Sequence, residues 1–346
     1  MSTTVLTPTP LSWGTGSLPA IDEAPRAPLR QRIARAFAVT AISVACAVIL
    51  LIFAFNGYIA WLLAHPPVAA LNSNPMTAKN LAYADVTFPS ADGARETHGW
   101  WIPAGDSTRT VVLSHGFGAN REEYWVPMYD LADMLHGLRY NVLMFDYGYA
   151  DPVHRTPATG GRLESQQLIG ALQYARERGT DELVVWGFSM GAGTALQAAL
   201  HTGLIDGMIL DSTFVPSTAT LAHNLKPFKV LPQIVSVDLI RLFLPLWSGT
   251  YLDQIPAKEV ESTSYDFPLL LIHGTADAKA PYDISERIAS SQRNPASQLW
   301  IVPHAIHEMI FRTHPQEYVA RATAFLQGVD AAKAVRLAEK RGTLSV

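Results

Sequence analysis

The apolar segment Leu183-Val184-Val185-Trp186 runs directly into Gly187-Phe188-Ser189-Met190-Gly191-Ala192-Gly193 and then into an apolar helical stretch. Few backbones accommodate that succession. A serine at the apex of a sharp strand-to-helix turn is strained, and only small residues two positions to either side avoid colliding with it. Gly187 and Gly191 meet that requirement. Such a turn presents the hydroxyl at a helix N-terminus, where backbone N–H groups and the dipole favour developing negative charge. Alone, the five residues also fit a chance glycine-rich turn. The strand before and the helix after make Ser189 a candidate nucleophile.

The chain from about residue 80 onward supplies the surroundings that turn requires. Residues 83–88 and 98–102 flank an Ala91-Asp92-Gly93 turn and read as an antiparallel opening hairpin. Apolar runs of buried-strand type follow at 110–114, 141–145, 183–186, 207–210, 269–272 and 299–302, with helical patterns at 164–176, 192–201, 282–290 and 316–326 between or after them. This alternation predicts an α/β domain with a mostly parallel sheet. No internal repeat is evident.

Composition matters because its apolar excess is partly local. Hydrophobic residues are 49% of the 346 and charged ones 16%. Residues 36–55 carry no charge and only Thr40 and Ser43 as polar side chains, and the uncharged stretch continues to Ala64. As a helix, twenty residues span roughly 30 Å, the thickness of a bilayer's hydrocarbon. A cleaved leader has a shorter apolar core and starts earlier, and a buried core helix is the other alternative, so the reading is a membrane anchor. Arg26, Arg30, Arg32 and Arg35 precede the run and no Lys or Arg follows until Lys79, which places the N-terminus in the cytoplasm and the rest on the far side. Tyr58 and Trp61 suit an interfacial belt. A net charge of −4 without a long basic run excludes a nucleic-acid footprint, and a single cysteine, Cys46, excludes an intrachain disulfide or a cysteine metal site.

Upstream of the serine, Val111-Val112-Leu113-Ser114 ends in His115-Gly116-Phe117-Gly118, which resembles the oxyanion loop following the third strand of α/β hydrolases. The resemblance implies two donors, the backbone N–H groups of Phe117 and Met190, with His115 as a loop-ordering side chain. A serine hydroxyl also needs a histidine base held by a carboxylate. After residues 269–272 comes His273-Gly274-Thr275-Ala276-Asp277-Ala278-Lys279-Ala280-Pro281, which looks like the family's H-G-x-x-D-x-x-x-P acid loop. By that resemblance Asp277 is the carboxylate and His307, in Pro303-His304-Ala305-Ile306-His307, is the base. Their chain order after Ser189 is that of the family. Asp211 competes as the acid and His304 as the base; His273 resembles the structural histidine of the acid loop.

These matches cover about residues 80–328. They imply an α/β-hydrolase fold with an eight-stranded, mostly parallel sheet, a small helical cap and one transmembrane helix ahead of it. The expected organisation is a flexible tail at 1–29, an anchor helix at 30–64, a linker at 65–79, the hydrolase domain at 80–328 with its cap at about 212–264, and a C-terminal tail at 329–346. One departure is visible. Asp146-Tyr147-Gly148-Tyr149-Ala150 lacks the arginine and second glycine of the family's Asp-x-Arg-Gly-x-Gly. Apolar cap residues from Gln233 to Trp247 line an acyl site or touch the membrane, while a cap helix packed on its own domain gives the same pattern; packing and substrate lining can both hold. The resemblance is to membrane-anchored esterases, acylglycerol lipases and dipeptidase-like serine hydrolases. It implies hydrolysis of an ester-type bond in a small-molecule or lipid substrate, with no metal or organic cofactor. The alternatives are an aminopeptidase or dipeptidyl-peptidase-like amide hydrolase, and a binding protein that keeps the fold without turnover; loss of a nucleophile, base or acid would mark the latter, and all three are present.

Overall fold

The computed structural model describes residues 27–228 and 232–343. The chain divides into two compact units, residues 1–51 and 52–346. In the first, the described part is the start of helix α1 (Leu29–Ala64), whose side chains up to Leu51 are all exposed. This helix is long and apolar enough to cross a membrane, a property it shares with signal sequences. The flexible tail expected at 1–29 lies almost entirely outside the described residues.

In the second unit a short helix α2 (Pro75–Lys79) precedes the hairpin β1 (Ala84–Pro89) and β2 (Glu96–Ile102). Next come β3 (Arg109–Ser114), α3 (Met128–Gly137), β4 (Asn141–Phe145), α4 (Glu164–Glu177), β5 (Glu182–Phe188), α5 (Met190–Ala199) and β6 (Gly207–Asp211). Between β6 and the next strand, where the sequence reading expects a cap, lie α6 (Thr218–Leu225), α7 (Gln233–Ser248), a 3-10 turn at Leu252–Gln254 and α8 (Ala257–Ser262). The chain closes with β7 (Leu269–Gly274), α9 (Asp283–Ser291), β8 (Gln298–Val302), α10 (Ile310–Thr313) and α11 (Pro315–Thr343).

Among the described residues eight strands form one sheet in the order β1-β2-β4-β3-β5-β6-β7-β8. The pairs β1–β2 and β2–β4 are antiparallel and the others parallel, as the hairpin and the buried apolar runs predict. Strand side chains alternate between two cores. Val112 and Val185 join Leu168, Leu172 and Ala195 of α4 and α5, whereas Val111, Leu113 and Trp186 join Leu131 and Leu135 of α3 and Phe325 of α11 on the other face. Covering both faces is what lets the central strands be apolar throughout.

Helix α11 continues to Thr343, where the sequence reading ended it at 326 and expected a tail from 329. Val329 is buried in the second core, and Lys333 and Arg336 both pair with the buried Asp206, which Arg176 meets at 3.0 Å. These partners lie more than a hundred residues upstream, so local pattern does not reveal them.

Candidate active site

The central strand β5 delivers Ser189 at its carboxyl end, and α5 begins at the next residue. Ser189 has φ 47° and ψ −117°, the strain that a sharp turn demands of a non-glycine residue. The glycines around it make the turn possible. A Cβ on Gly187 would lie 2.6 Å from Ala192 Cα, and one on Gly191 would run into the carbonyl oxygen of Ser114. The close approach of α5 to β3 is tied by Ser114 Oγ, which donates to Gly191 O at 2.9 Å. Ser189 N donates to Asp211 O at 2.9 Å and Phe214 N to Ser189 O at 3.0 Å, so the turn is strapped on both sides.

The loops after β7 and β8 bring two more side chains to the same point. His307 Nε2 lies 2.8 Å from Ser189 Oγ, and His307 Nδ1 lies 2.6 Å from Asp277 Oδ2. The loop carrying His307 turns sharply, with His304 at φ 61° and Glu308 at φ 56°. Asp277 is saturated: its Oδ1 accepts from the backbone N–H groups of Lys279 and Ala280, each at 2.8 Å, and its Oδ2 also lies 3.2 Å from His273 Nε2. His273 in turn meets Ser285 Oγ at 2.7 Å and Ala280 O at 3.1 Å, so it braces the acid loop.

The competing residues sit elsewhere. Asp211 is buried and accepts from Tyr318 Oη and Ser212 Oγ, each at 2.8 Å, and His304 is exposed with its backbone N–H on Thr275 Oγ1. His115 is fully buried; its Nε2 accepts from Tyr147 N at 3.1 Å, and burial lowers its pKa to about 4, so it orders the loop as a neutral ring. Met190 is the first residue of α5, where a helix leaves backbone N–H groups unmet. Phe117 and Met190 both line the cavity that contains Ser189 and His307.

A family model described as "alpha/beta hydrolase fold" matches residues 109–238. Uncharacterized protein YfhR of Escherichia coli is 31% identical over 232 residues, which is 64% of this chain and 72% of that protein. The chain belongs to the α/β-hydrolase superfamily. YfhR of Salmonella typhimurium is 26% identical over 291 residues, covering 78% of this chain and 87% of its own. Among solved structures, an esterase from Pyrococcus furiosus aligns with a TM-score of 0.61 at 25% identity, over 77% of this hydrolase and 97% of the esterase. Est1E from Butyrivibrio proteoclasticus, with a TM-score of 0.53 at 16% identity, shares the fold.

The hydrolase meets the missing arginine of its Asp146 loop from two other places. Arg121, beyond the oxyanion loop, grips Asp146 Oδ2 at 2.8 and 3.0 Å, and Arg95 of the opening hairpin fills the space where Gly148 would carry a Cβ.

A second acidic centre escaped the sequence reading. Glu123 and Glu308 are both buried and converge on Gly116, where an added Cβ would lie 2.6 Å from one carboxyl and 2.7 Å from the other. Gly116 N donates to Glu123 Oε1 at 3.0 Å and Trp125 Nε1 donates to Glu308 Oε2 at 2.7 Å, while Glu123 Oε2 and Glu308 Oε1 are buried without a hydrogen-bond partner among the described residues. Burial, and then the charge of Glu308, push Glu123 well above the usual carboxylate range, and burial raises Glu308 too, so the pair resists carrying two negative charges. The only local signal was the acidic residue directly after His307.

Glu308 Oε2 lies 3.7 Å from His307 Nε2. Burial alone would lower the pKa of His307, but the hydrogen bond it donates to Asp277 and the negative charges of Glu308 and Asp277 outweigh it and raise the pKa above its usual 6.5. At Asp277 burial is likewise outweighed, by hydrogen bonds from His273 and His307, and the carboxyl stays ionised far below the usual range. With His307 as the proposed base, which must be neutral to accept a proton, activity should fall as pH drops through the raised His307 pKa. Glu308→Gln removes one source of that rise. The acid limb of kcat/KM should therefore move to lower pH, and a limb that stays in place or moves upward would contradict this electrostatic assignment.

Proposed function

We propose that the protein is a membrane-anchored serine hydrolase that cleaves an ester-type bond (carboxylester, acylglycerol or thioester) through an acyl-enzyme. The observation that carries this reading is the unbroken chain from Ser189 Oγ through the His307 ring to Asp277 Oδ2, at 2.8 and 2.6 Å. His307 takes the serine proton as Ser189 attacks the carbonyl, and Asp277 holds the ring and stabilises the imidazolium. The N–H groups of Phe117 and Met190 receive the oxyanion, each worth about 3 kcal/mol of transition-state stabilisation. Collapse of the tetrahedral species expels the leaving group with the proton from His307. Water, deprotonated by the same ring, then releases the acid.

The cavity supports an acyl group as the recognised part. It measures about 640 Å³ and is walled by Met190, Phe214, Leu221, Ile240, Leu244 and Ile255, with Ser189 and His307 on its lining. The amide-hydrolase alternative needs an acid to hold a substrate ammonium. Among the described lining residues the one acid is Glu308, whose Oε2 already accepts from Trp125 Nε1 and whose charge is disfavoured by burial. Turnover of p-nitrophenyl esters should therefore rise with chain length to an optimum beyond acetate, with little on aminoacyl or dipeptidyl amides. Preference for the amides would overturn the ester reading.

The arginines before the apolar run support an N-terminus in the cytoplasm and a hydrolase domain across the membrane. Protease added outside intact spheroplasts should digest the domain. Full protection of the domain would reverse this topology.

A further inference from the structure

We propose that the uncharged end of cap helix α7, from Leu242 onward, inserts into the lipid bilayer, so that the cleft above Ser189 draws a lipid-borne acyl ester from the membrane. The inference rests on the membrane-anchored hydrolase reading above and adds where the substrate comes from.

Helix α7 is unlike an ordinary surface helix, which turns polar side chains to water. Its outer face carries Ile234 (81% exposed), Leu242 (61%) and Leu246 (73%), with Val235 and Trp247 also exposed. The two charged residues, Asp238 and Arg241, both precede Leu242, and Arg241 is drawn to Asp238 at 3.7 Å and to Asp253 at 3.2 Å. From Leu242 to Ser248 there is no charge.

The packing of α7 supplies its depth. The Phe53 ring meets Phe243 edge-on with centroids 6.1 Å apart, and Gly57 lies against the same Phe243 ring. Further along α1, Ala60 and Leu63 share a cluster with Val237 and Ile240, earlier in α7. The two helices therefore run antiparallel. Phe53 lies within the uncharged run 36–55, and Trp61, of the aromatic pair Tyr58–Trp61, is eight residues later, about 12 Å along the axis. Whatever bilayer depth Phe53 reaches, Phe243 shares it, and Leu246 and Trp247 extend further in the same direction. An uncharged apolar helix end held there carries no ionised side chain that hydrocarbon would exclude. Leu63, Ile240 and Leu244, from this same helix pair, line the cleft. An acyl chain moving in from lipid thus meets apolar side chains from the bilayer to Ser189.

The test uses the full chain in phosphatidylcholine vesicles containing doxyl-labelled lipid, with a bimane label at single cysteines. The native Cys46 reports the anchor, Leu246→Cys in a Cys46→Ala background reports α7, and Val335→Cys in that background reports exposed α11. Doxyl lipid should quench the labels at 46 and 246 and spare the label at 335. Quenching at 46 without quenching at 246 overturns the insertion of α7 and leaves the anchor standing. No quenching at 46 removes the anchored reading itself. Cross-linking through position 246 between two chains, without quenching there, would assign the face to a second copy and also overturn the proposal. In a second arm, Leu242→Glu/Leu246→Glu should hydrolyse a vesicle-borne long-chain ester about tenfold or more slowly than wild type, because charges resist entering hydrocarbon. A water-soluble short-chain ester should keep its rate. Equal rates for variant and wild type on the vesicle-borne ester would contradict delivery from the membrane.

Discussion

Ser189→Ala is expected to lower kcat for ester hydrolysis by roughly a million-fold, leaving only the residual rate that binding and the oxyanion donors provide. The size follows from the site's geometry. His307 Nε2 has one partner to deprotonate, Ser189 Oγ at 2.8 Å, and removing that oxygen leaves a base with no nucleophile to activate. The fold should survive, because the turn is held by the backbone of residue 189 on Asp211 and Phe214 and by Gly187 and Gly191, none of which involve the hydroxyl. Alanine also suits the crowded apex. Circular dichroism and melting temperature unchanged, together with lost turnover and lost labelling by a fluorophosphonate, is the expected result. Retained labelling at another residue would sink the assignment.

Asp277→Asn is expected to lower kcat by about 10⁴-fold. An amide in this position can present N–H where His307 Nδ1 needs an acceptor, which turns the ring toward the wrong tautomer and removes the charge that stabilises the imidazolium. The site amplifies this effect. Asp277 Oδ2 faces both His307 at 2.6 Å and His273 at 3.2 Å, while Oδ1 accepts two backbone N–H groups, so asparagine cannot satisfy all four contacts in either orientation. A companion Asp211→Asn should cost far less activity, since Asp211 binds Tyr318 and Ser212 and has no bond to the His307 ring. Comparable losses in the two variants, measured as kcat at a pH above the acid limb, would reopen the choice of acid.

The sheet was legible because its central strands are short, apolar and buried on both faces, a signal carried by neighbouring residues. The turn at Ser189 was legible because backbone strain forces glycine at fixed offsets. The sequence order of Ser189, Asp277 and His307 pointed to side chains that the structure brings within hydrogen-bond distance. What escaped notice depends on contacts between distant segments. Glu123 and Glu308 are 185 residues apart in number yet converge on one glycine. Arg121 and Arg95 meet the Asp146 loop from outside it, and the last turns of α11 are held by Asp206. No local periodicity encodes such pairings. The long apolar cap helix was visible as apolar, but which of its faces is buried depends on α1 and α6, which a linear pattern does not show.

The central claim is a covalent acyl-enzyme at one serine. Rapid mixing of the protein with a p-nitrophenyl ester, acid quenching and peptide mass spectrometry test it directly. The predicted result is a burst of p-nitrophenolate stoichiometric with enzyme, and an acyl group found on the peptide bearing Ser189. Turnover without any acylated peptide, or with the acyl group on a residue other than Ser189, would contradict the account.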